Sequence, residues 1–314
     1  MKGIDFTMEN YSTPILFLIF NRPECTRDTF AAISKIKPQK LYIAADGPRA
    51  GKNGEKELCE KTREIVRKID WDCEVQTLFR ESNLGCKDAV SSAITWFFEG
   101  EEMGIILEDD CFPSQSFFTF CRELLLKYKD DERVWHIDGT TSQSGVPGTS
   151  YQFSKYCLIW GWATWRRAWK NYDPDIKSFP EFSDQNIMNY VWRKPEVRSY
   201  WLNNLNSVYT HEVDTWDFQW LYTVWKNNGL SIRPAVNLVK NIGFDINATH
   251  TVTTNELLLG LKNEEMVFPL QHPQFFLPNV EMDDICSANH FDIHKPYFNI
   301  IKRVSRKIKR MLYS

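Results

Sequence analysis

The segment from Gly104 to Asp110 joins a short apolar run to three consecutive carboxylates. A run of this length and composition is typical of a parallel strand that is buried on both faces. The carboxylates of Glu108, Asp109 and Asp110 repel one another unless a positive charge lies among them. Because Mg²⁺ and Mn²⁺ prefer carboxylate, water and phosphate oxygens, the segment predicts a metal-diphosphate site at the end of a strand. The alternative is that Asp110 or Ser114 caps the following helix, although a cap uses only one side chain.

Strands and helices alternate through the first half of the chain. The pattern predicts strands at 15–20, 41–45, 74–79, 104–107 and 134–137, and the segments between them predict helices at 23–36, 55–69, 87–98 and 116–129. Pro23 suits the first turn of the first of these helices. The alternation indicates parallel βαβ units, and therefore an α/β fold with a mostly parallel sheet and helices on both faces.

Polar side chains follow four of these strands at the point where each strand ends. They are Asn21 and Arg22, Asp46, Asn83, and the three acids Glu108, Asp109 and Asp110. In open parallel sheets, ligands bind in the crevice outside the carboxyl ends of the strands. Loops are polar in any case, so a single strand end indicates little. The four strand ends together favour a site for a nucleotide diphosphate.

The second half is less regular and rich in tryptophan. Nine of the 12 tryptophans lie between Trp160 and Trp225. The pattern predicts helices at 184–208, broken near Pro195, and at 214–227, a short helix from Thr164, and an extended segment at 230–238. The change in composition divides the chain into a first half at 1–140, an aromatic half at 141–275 and a C-terminal extension at 276–314.

Composition argues against several classes of protein. The net charge of −3 gives no support for nucleic-acid binding over the whole surface. Eight cysteines without a CxxC pair indicate neither a zinc site nor a disulfide framework, so we expect reduced thiols in a cytoplasmic protein. No apolar stretch approaches the roughly 20 residues of a membrane span, and the apolar run at 14–20 has the length of a strand, not of a signal peptide.

The motifs at the strand ends resemble those of a GT-A-type glycosyltransferase. Phe20-Asn-Arg-Pro, Ala45-Asp-Gly-Pro, Asn83-Leu-Gly and Glu108-Asp-Asp occur in that order, with Gly161-Trp and Trp216-Asp as supporting matches. The chain is similar over about 13–255 to the N-acetylglucosaminyltransferase I group and to bacterial family-two-like nucleotide-sugar transferases. The resemblance implies a Rossmann-like GT-A sheet, with nucleotide-sugar binding in the first half and acceptor binding in the aromatic half.

The resemblance also implies roles for individual residues. Asp46 would accept a hydrogen bond from the base, such as uracil N3, and Arg22 would lie near the base or the phosphates. Asp109 would face the ribose, and Asp110 would bind the metal that bridges the diphosphate. His250 would close over the diphosphate or complete the metal shell. A lone histidine, however, is otherwise a structural hydrogen-bonding residue.

Three further strand-end residues, Asn21, Asn83 and Glu108, belong to the implied nucleotide-binding group. The implied donor is a nucleotide-diphosphate sugar, with UDP-sugars favoured, and the implied cofactor is Mn²⁺ or Mg²⁺. The acceptor would be a glycan, a lipid-linked sugar or a protein in bacterial surface-glycan synthesis.

In one place the chain departs from the eukaryotic pattern, which has a catalytic aspartate shortly before Gly-Trp. Residues 154–156 are Ser-Lys-Tyr, without an acid, so the base must come from elsewhere.

Sugar transfer needs a stabilised leaving group and a base that takes the proton of the acceptor hydroxyl. Asp217 is the candidate base because it lies between Trp216 and Trp220, near a predicted helix start, where apolar neighbours raise a carboxyl pKa. Glu212 and Asp214 are the next candidates. A base opposite the leaving group inverts the anomeric centre. The alternative is that Asp217 or a neighbour only caps that helix.

Tryptophan rings with their N–H donors suit stacking against sugars. Trp162 and Trp216 are the candidates for contact with the acceptor. The alternative for most tryptophans of this region is a packed core.

Two other classes of protein are alternatives to the transferase. A nucleotidyltransferase, which makes nucleotide sugars, needs a glycine-rich loop after the first strand to hold a triphosphate, and the segment 21–24 has no glycine. A non-catalytic carbohydrate-binding protein has no need of three intact acids at 108–110. Metal-dependent hydrolysis of a nucleotide sugar would distinguish the enzyme from both.

The C-terminal segment at 299–314 has apolar residues at helical spacing on one face and six Lys or Arg residues on the other. A basic amphipathic helix can lie on an anionic membrane surface, which suits a lipid-linked acceptor. We therefore expect peripheral association with the inner face of the cell membrane. The alternatives are a helix packed on the domain or a tail without fixed structure.

Overall fold

The computed structural model of the protein describes residues 11–143, 145–243, 258 and 260–293. The predicted ligand His250 and the basic segment 299–314 lie outside the described residues. Within the described ranges, no helix has the length and apolar character needed to cross a membrane.

The first half folds into the predicted alternation of strands and helices. Its elements are β1 (Ile15–Ile19), α1 (Pro23–Ile36), β2 (Lys40–Ala45), α2 (Glu55–Val66), β3 (Glu74–Phe79), α3 (Gly85–Gly100), β4 (Met103–Glu108), β5 (Cys111–Pro113), α4 (Gln115–Lys127) and β6 (Val134–Asp138). The five predicted strands and four predicted helices are confirmed, with ends that differ by a few residues. The short strand β5 was not predicted.

The second half is where sequence and structure differ more. Its elements are β7 (Tyr151–Ser154), β8 (Trp162–Trp165), α5 (Arg166–Trp169), α6 (Phe179–Asp184), α7 (Met188–Val191), α8 (Pro195–Tyr209), α9 (Asp217–Lys226), β9 (Leu230–Pro234), β10 (Val239–Asn241) and α10 (Val280–Asn289). The predicted interruption near Pro195 is confirmed, because the 15-residue helix α8 begins there, but the segment before it holds only the end of α6 and the short helix α7. One break falls at Asn186, whose φ of 54° is left-handed. Thr164 lies in strand β8 rather than at a helix start.

Eight strands form one sheet in the order β3-β2-β1-β4-β8-β6-β9-β7, to which both halves contribute. Strands β1, β2, β3 and β4 run parallel, β8 runs antiparallel to β4 and to β6, and β7 runs antiparallel to β9. The predicted α/β class with a mostly parallel sheet is confirmed, and the architecture is Rossmann-like. The order reverses beside β1, because the chain builds outward to β3 and then returns through α3 to place β4 on the other side. This reversal is the topological switch point of the sheet.

Helices cover both faces of the sheet. Successive residues of β1 point to opposite faces, so Leu16 and Leu18 pack with α3 whereas Ile15, Phe17 and Ile19 pack with α1 and α4. All five residues of β1 are buried. The central strands are therefore fixed from both sides, and their carboxyl ends are held at a constant position.

A buried cluster of hydrogen-bonded side chains joins β6, β9 and α9. Asp138 Oδ2 accepts a hydrogen bond from Arg233 Nε at 3.0 Å, and Asp138 Oδ1 lies 2.9 Å from His136 Nε2. The indole N–H of Trp220 donates to His136 Nδ1 at 3.1 Å. An indole nitrogen is only a donor, so Nδ1 accepts and the His136 proton lies on Nε2. Buried charges of this kind stabilise a fold only while each keeps its partner.

Arg233→Met should therefore lower the free energy of unfolding by about 3–5 kcal/mol, because it leaves the Asp138 carboxylate buried without its cation. Chemical denaturation measures the change. Arg27→Met is the matched control, since Arg27 is 59% exposed and pairs with Glu24 at the surface, where a pair contributes about 0–1 kcal/mol. Equal stability of the two variants would show that the buried pair does not anchor β9.

Candidate functional site

A cleft of about 320 Å³ opens at the carboxyl ends of β1–β4, at the switch point of the sheet. Six of the residues selected from the sequence line it: Arg22, Asp46, Asn83, Glu108 and Asp109 from the predicted nucleotide and metal sites, and the candidate base Asp214. The structure thus brings together side chains that four separate strands carry. A further set of lining residues was not singled out for this site, namely Phe20, Arg49, Arg80 and Cys86.

Arg22 supplies the positive charge that the three consecutive acids require. Its Nη1 lies 2.7 Å from Asp110 Oδ2 and 4.0 Å from Asp109 Oδ1. The backbone N–H of Phe20 also donates to Asp109 Oδ2, at 3.3 Å. The loop after β1 is therefore attached to the end of β4 by charge. Charge-assisted contacts of this kind are shorter and stronger than neutral hydrogen bonds.

One guanidinium does not balance three carboxylates. Burial, and then the neighbouring charge of Asp110, raises the pKa of both Glu108 and Asp109 well above the ordinary range. The charge of Asp217 adds to the shift at Glu108, so Asp217 lies within electrostatic reach of the end of β4. A further cation at the mouth of the cleft would favour the charged forms of these carboxyls and lower their pKa values again.

The carboxylates at the end of β4 suit Mg²⁺ or Mn²⁺ only if water and the phosphate oxygens of a ligand supply the other metal ligands. Within the described residues, no group of three or more His, Cys, Asp or Glu side chains is placed to hold a metal ion. These metals commonly take one or two carboxylates together with water and phosphate oxygens, so Asp110 alone is a sufficient protein ligand. Its Oδ1 accepts a weak hydrogen bond from the Cys111 thiol at 3.6 Å, whereas its Oδ2 accepts one from Arg22 Nη1 at 2.7 Å. Asp110 fits the predicted metal site if Arg22 shares its carboxylate.

Asp46 binds the loops that follow β2 and β3 together. Its carboxylate accepts hydrogen bonds from the backbone N–H groups of Gly47 and Leu84, at 2.9 and 3.1 Å, and from Asn83 Nδ2 at 2.8 Å. A Cβ atom on Gly47 would lie 2.4 Å from the backbone nitrogen of Ser82, so only glycine permits this close approach. Contact between Asp46 and a base stays a prediction. Asn83 lines the cleft beside Asp46 and holds the Asp46 carboxylate in position.

Asn21 is not among the residues that line the cleft. Its Nδ2 donates to Glu55 Oε1 at 3.1 Å, and Glu55 is 3% exposed. The same carboxylate accepts hydrogen bonds from the backbone N–H of Arg49 at 2.6 Å and from its Nε at 3.0 Å. Arg49 lies in turn against the Phe20 ring. Glu55 thus joins the loops after β1 and β2, a role that its sequence context, one acid at a helix start, did not single out.

The candidate bases occupy three different environments. Asp214 accepts hydrogen bonds from the backbone N–H groups of Cys86 and Lys87, both at 2.9 Å, so its two oxygens cap α3. Its predicted role as a reserve base is therefore disfavoured. Asp217 is the first residue of α9, is half-buried and accepts a hydrogen bond from the Thr215 hydroxyl. Glu212 is exposed on the preceding turn.

The expectation that Trp162 and Trp216 contact the acceptor is wrong in this structure. Trp162 is 0% exposed and Trp216 is 2% exposed. Their rings stack on each other with centroids 5.6 Å apart, and Trp162 also stacks on His136 at 4.8 Å. No ring face of either residue is open to a sugar, and the alternative of a packed core applies.

The sequence matches no protein-family model and no curated protein. Several solved structures match part of it, among them the two that follow. HddC from Yersinia pseudotuberculosis has 7% identity and a TM-score of 0.31, over 51% of this chain and 80% of its own. The 4-diphosphocytidyl-2C-methyl-D-erythritol synthase of Anaerococcus prevotii DSM 20548 has 9% identity and a TM-score of 0.32, over 51% of this chain and 76% of its own. Likeness this remote leaves the function to be argued from the cleft itself.

Asp214→Ala should lower the free energy of unfolding by about 0.5–2 kcal/mol, since it removes the acceptor from the first turn of α3. Denaturation measures the change, with Asp70→Ala as a control at an exposed position. Unchanged stability together with a loss of turnover would return Asp214 to the list of candidate bases.

Proposed function

We propose that the protein is a metal-dependent glycosyltransferase of the GT-A type. It would move a sugar from a nucleotide-diphosphate donor to a hydroxyl acceptor, with inversion, in bacterial surface-glycan synthesis. The observation that carries the proposal is that polar residues from four strand ends line one cleft at the switch point. They are Arg22, Asp46, Asn83, Glu108 and Asp109. Crevices at such points are the usual nucleotide sites of open parallel sheets.

The donor, with UDP-sugars favoured, is assigned across the strand ends in order. Its base lies toward Asp46 at the end of β2 and its ribose toward Asp109 at the end of β4. The diphosphate lies toward Arg22 and Asp110, and Asp110 would also hold Mn²⁺ or Mg²⁺. Arg22 then exchanges part of its contact with Asp110 for a phosphate oxygen. The bound metal supplies neutralisation of the charge that develops on the leaving diphosphate.

The chain's own residues supply the proton transfer. The acceptor hydroxyl oxygen forms a bond to the anomeric carbon while the bond from that carbon to the phosphate oxygen breaks. Asp217, on the first turn of α9, takes the hydroxyl proton as general base. Attack from the face opposite the leaving group inverts the anomeric centre. The acceptor is a glycan, a lipid-linked sugar or a protein. The proposal also includes an anionic membrane surface, which the basic segment 299–314 would contact.

A calorimetric panel of nucleoside diphosphates and their sugars, with and without Mn²⁺, tests the proposal. Metal-dependent binding of one nucleotide sugar, followed by its metal-dependent hydrolysis, is the expected result. Binding of a nucleoside triphosphate and a sugar phosphate, with release of pyrophosphate, would instead identify a nucleotidyltransferase. Binding of sugars without any nucleotide would identify a carbohydrate-binding protein.

Asp110→Ala should abolish Mn²⁺-dependent binding of UDP while the protein remains folded, because it removes the one protein carboxylate assigned to the metal. Calorimetry with and without Mn²⁺ measures the loss, and circular dichroism checks the fold. Asp28→Ala, at an exposed position on α1, is the control. Unchanged metal-dependent binding in Asp110→Ala would place the metal elsewhere.

Asp217→Asn should reduce turnover by about 10²–10⁴-fold, since an amide of the same shape cannot take the proton. Donor affinity should stay near the wild-type value, which separates loss of a base from loss of the cleft. Asp184→Asn, at an exposed position at the end of α6, is the matched control, and Glu212→Gln tests the next candidate base. Normal turnover in Asp217→Asn would remove the residue from the mechanism, and a product with retained configuration would contradict the inverting route.

A further inference from the structure

Phe20 and Arg49 form one edge of the cleft that the assignment of base, ribose and diphosphate leaves unused. Both residues line the cleft. The guanidinium carbon of Arg49 lies 5.6 Å from the centroid of the Phe20 ring, which places the cation over the ring. Guanidinium groups are planar and stack readily on flat π systems.

Glu55 fixes this guanidinium from the other side. Arg49 donates from Nε to Glu55 Oε1 and Oε2, at 3.0 and 3.1 Å, and from Nη2 to Oε1. The side chain of Glu55 is 3% exposed and that of Arg49 is 39% exposed, so a buried acid holds a partly open cation. Hydrogen bonds that pair a guanidinium fork with a carboxylate fix orientation as well as distance.

We propose that Arg49 and Phe20 form the platform on which the base of the nucleotide stacks, and that Glu55 is the positioning residue that holds Arg49 there. The inference rests on the proposed function, because it adds a base-binding surface to the same cleft. The positions of Asp46 and Asp109 beside this edge are the reason for assigning the base to it. Arg49 follows Asp46, which is assigned to the base, on the loop after β2. The N–H of Phe20 donates to Asp109, which is assigned to the ribose.

A phosphate is a poorer occupant of this edge than a base. The Glu55 carboxylate largely cancels the charge of Arg49, so an anion gains little by approaching it. The planar faces of the guanidinium stay available for stacking, which depends on shape more than on net charge. Arg22, next to the acids at 109 and 110, is the better placed cation for phosphates.

Glu55 is needed because the loop that carries Arg49 is glycine-rich. Gly51 and Gly54 both have left-handed backbone angles, with φ of 73° and 77°. Such a loop has many conformations of similar energy, and an arginine on it has several free rotamers. The buried carboxylate at the start of α2 selects one of them before the ligand arrives, which reduces the entropy lost on binding.

Calorimetry with UDP, and competition against it with uridine, tests the platform in the full-length protein. Arg49→Lys keeps the charge but loses the plane, so affinity should fall roughly 5- to 100-fold, the usual effect of losing one base stack. The fold-loss should be the same for UDP and for uridine, because the contact is with the base. Lys52→Gln, on the same loop and exposed, should bind as the wild type does.

A double-variant cycle tests the positioning role of Glu55. Glu55→Gln alone should weaken UDP binding by about 2- to 10-fold, the effect of releasing one side chain. In the Arg49→Lys background, the same change should have no further effect, since Glu55 acts through Arg49. Additive losses would overturn the positioning role. Glu57→Gln, exposed on the same helix, is the control.

The remaining outcomes separate this inference from the proposed function. Wild-type affinity in Arg49→Lys, or a loss confined to UDP with uridine unaffected, overturns the stacking platform and leaves the transferase intact. Failure of the wild-type protein to bind any nucleoside diphosphate or its sugar overturns both. Where Glu55→Gln does not fold, Arg49→Lys and Phe20→Leu decide the matter, because loss of the ring should weaken UDP and uridine binding equally.

Discussion

The contact between the guanidinium of Arg22 and the carboxylates at the end of β4 is the interaction around which the cleft is built. It joins the loops of two neighbouring strands at the switch point, with Arg22 Nη1 2.7 Å from Asp110 Oδ2. Without it, Asp109 and Asp110 would face each other with no cation in a mostly buried place. The pairing is incomplete, however, since one cation meets three acids. A metal ion at this edge of the sheet would stabilise the charged carboxylates, so the edge is suited to a metal ion and to the ligand the metal would carry.

A cleft of fixed shape also needs strands that do not move. The apolar side chains of β1 alternate between two cores, so helices on both faces of the sheet hold the same strand. On the far side, the buried contact of Asp138 with Arg233 joins β6 to β9. The polar residues at the carboxyl ends therefore follow strands that are held in place by packing on both faces. The loops need only short-range contacts to become ordered.

The first half of the fold could be predicted because its signals are local. Strands β1, β2 and β4 are largely apolar runs, β3 is rich in strand-forming residues, each lies beside a helix-forming segment, and the parallel order follows from their alternation. The second half could not be predicted in the same way. Strand β8 is a four-residue segment that pairs with β4 and β6, far away in sequence, and tertiary position decides such a case more than propensity does. Trp162 illustrates the difficulty at the site, since its exposure depends on partners such as Trp216 that no local pattern identifies.

The acids of the cleft show which part of a site a sequence can and cannot reveal. Asp46, Asp214 and Glu55 each accept several N–H groups, and each therefore ties one loop to another. Asp214 does so across 128 residues of sequence, which no motif records. At Glu108 and Asp109, in contrast, burial first and the charge of Asp110 second raise the pKa of both carboxyls, and Arg22 offsets only part of that shift. An acid that accepts several N–H groups already has its charge stabilised by the fold. A buried acid beside other acids is costly to ionise until a cation joins it, and its charged form is then available to a metal ion. The three consecutive carboxylates are a case in which the sequence alone shows that difference.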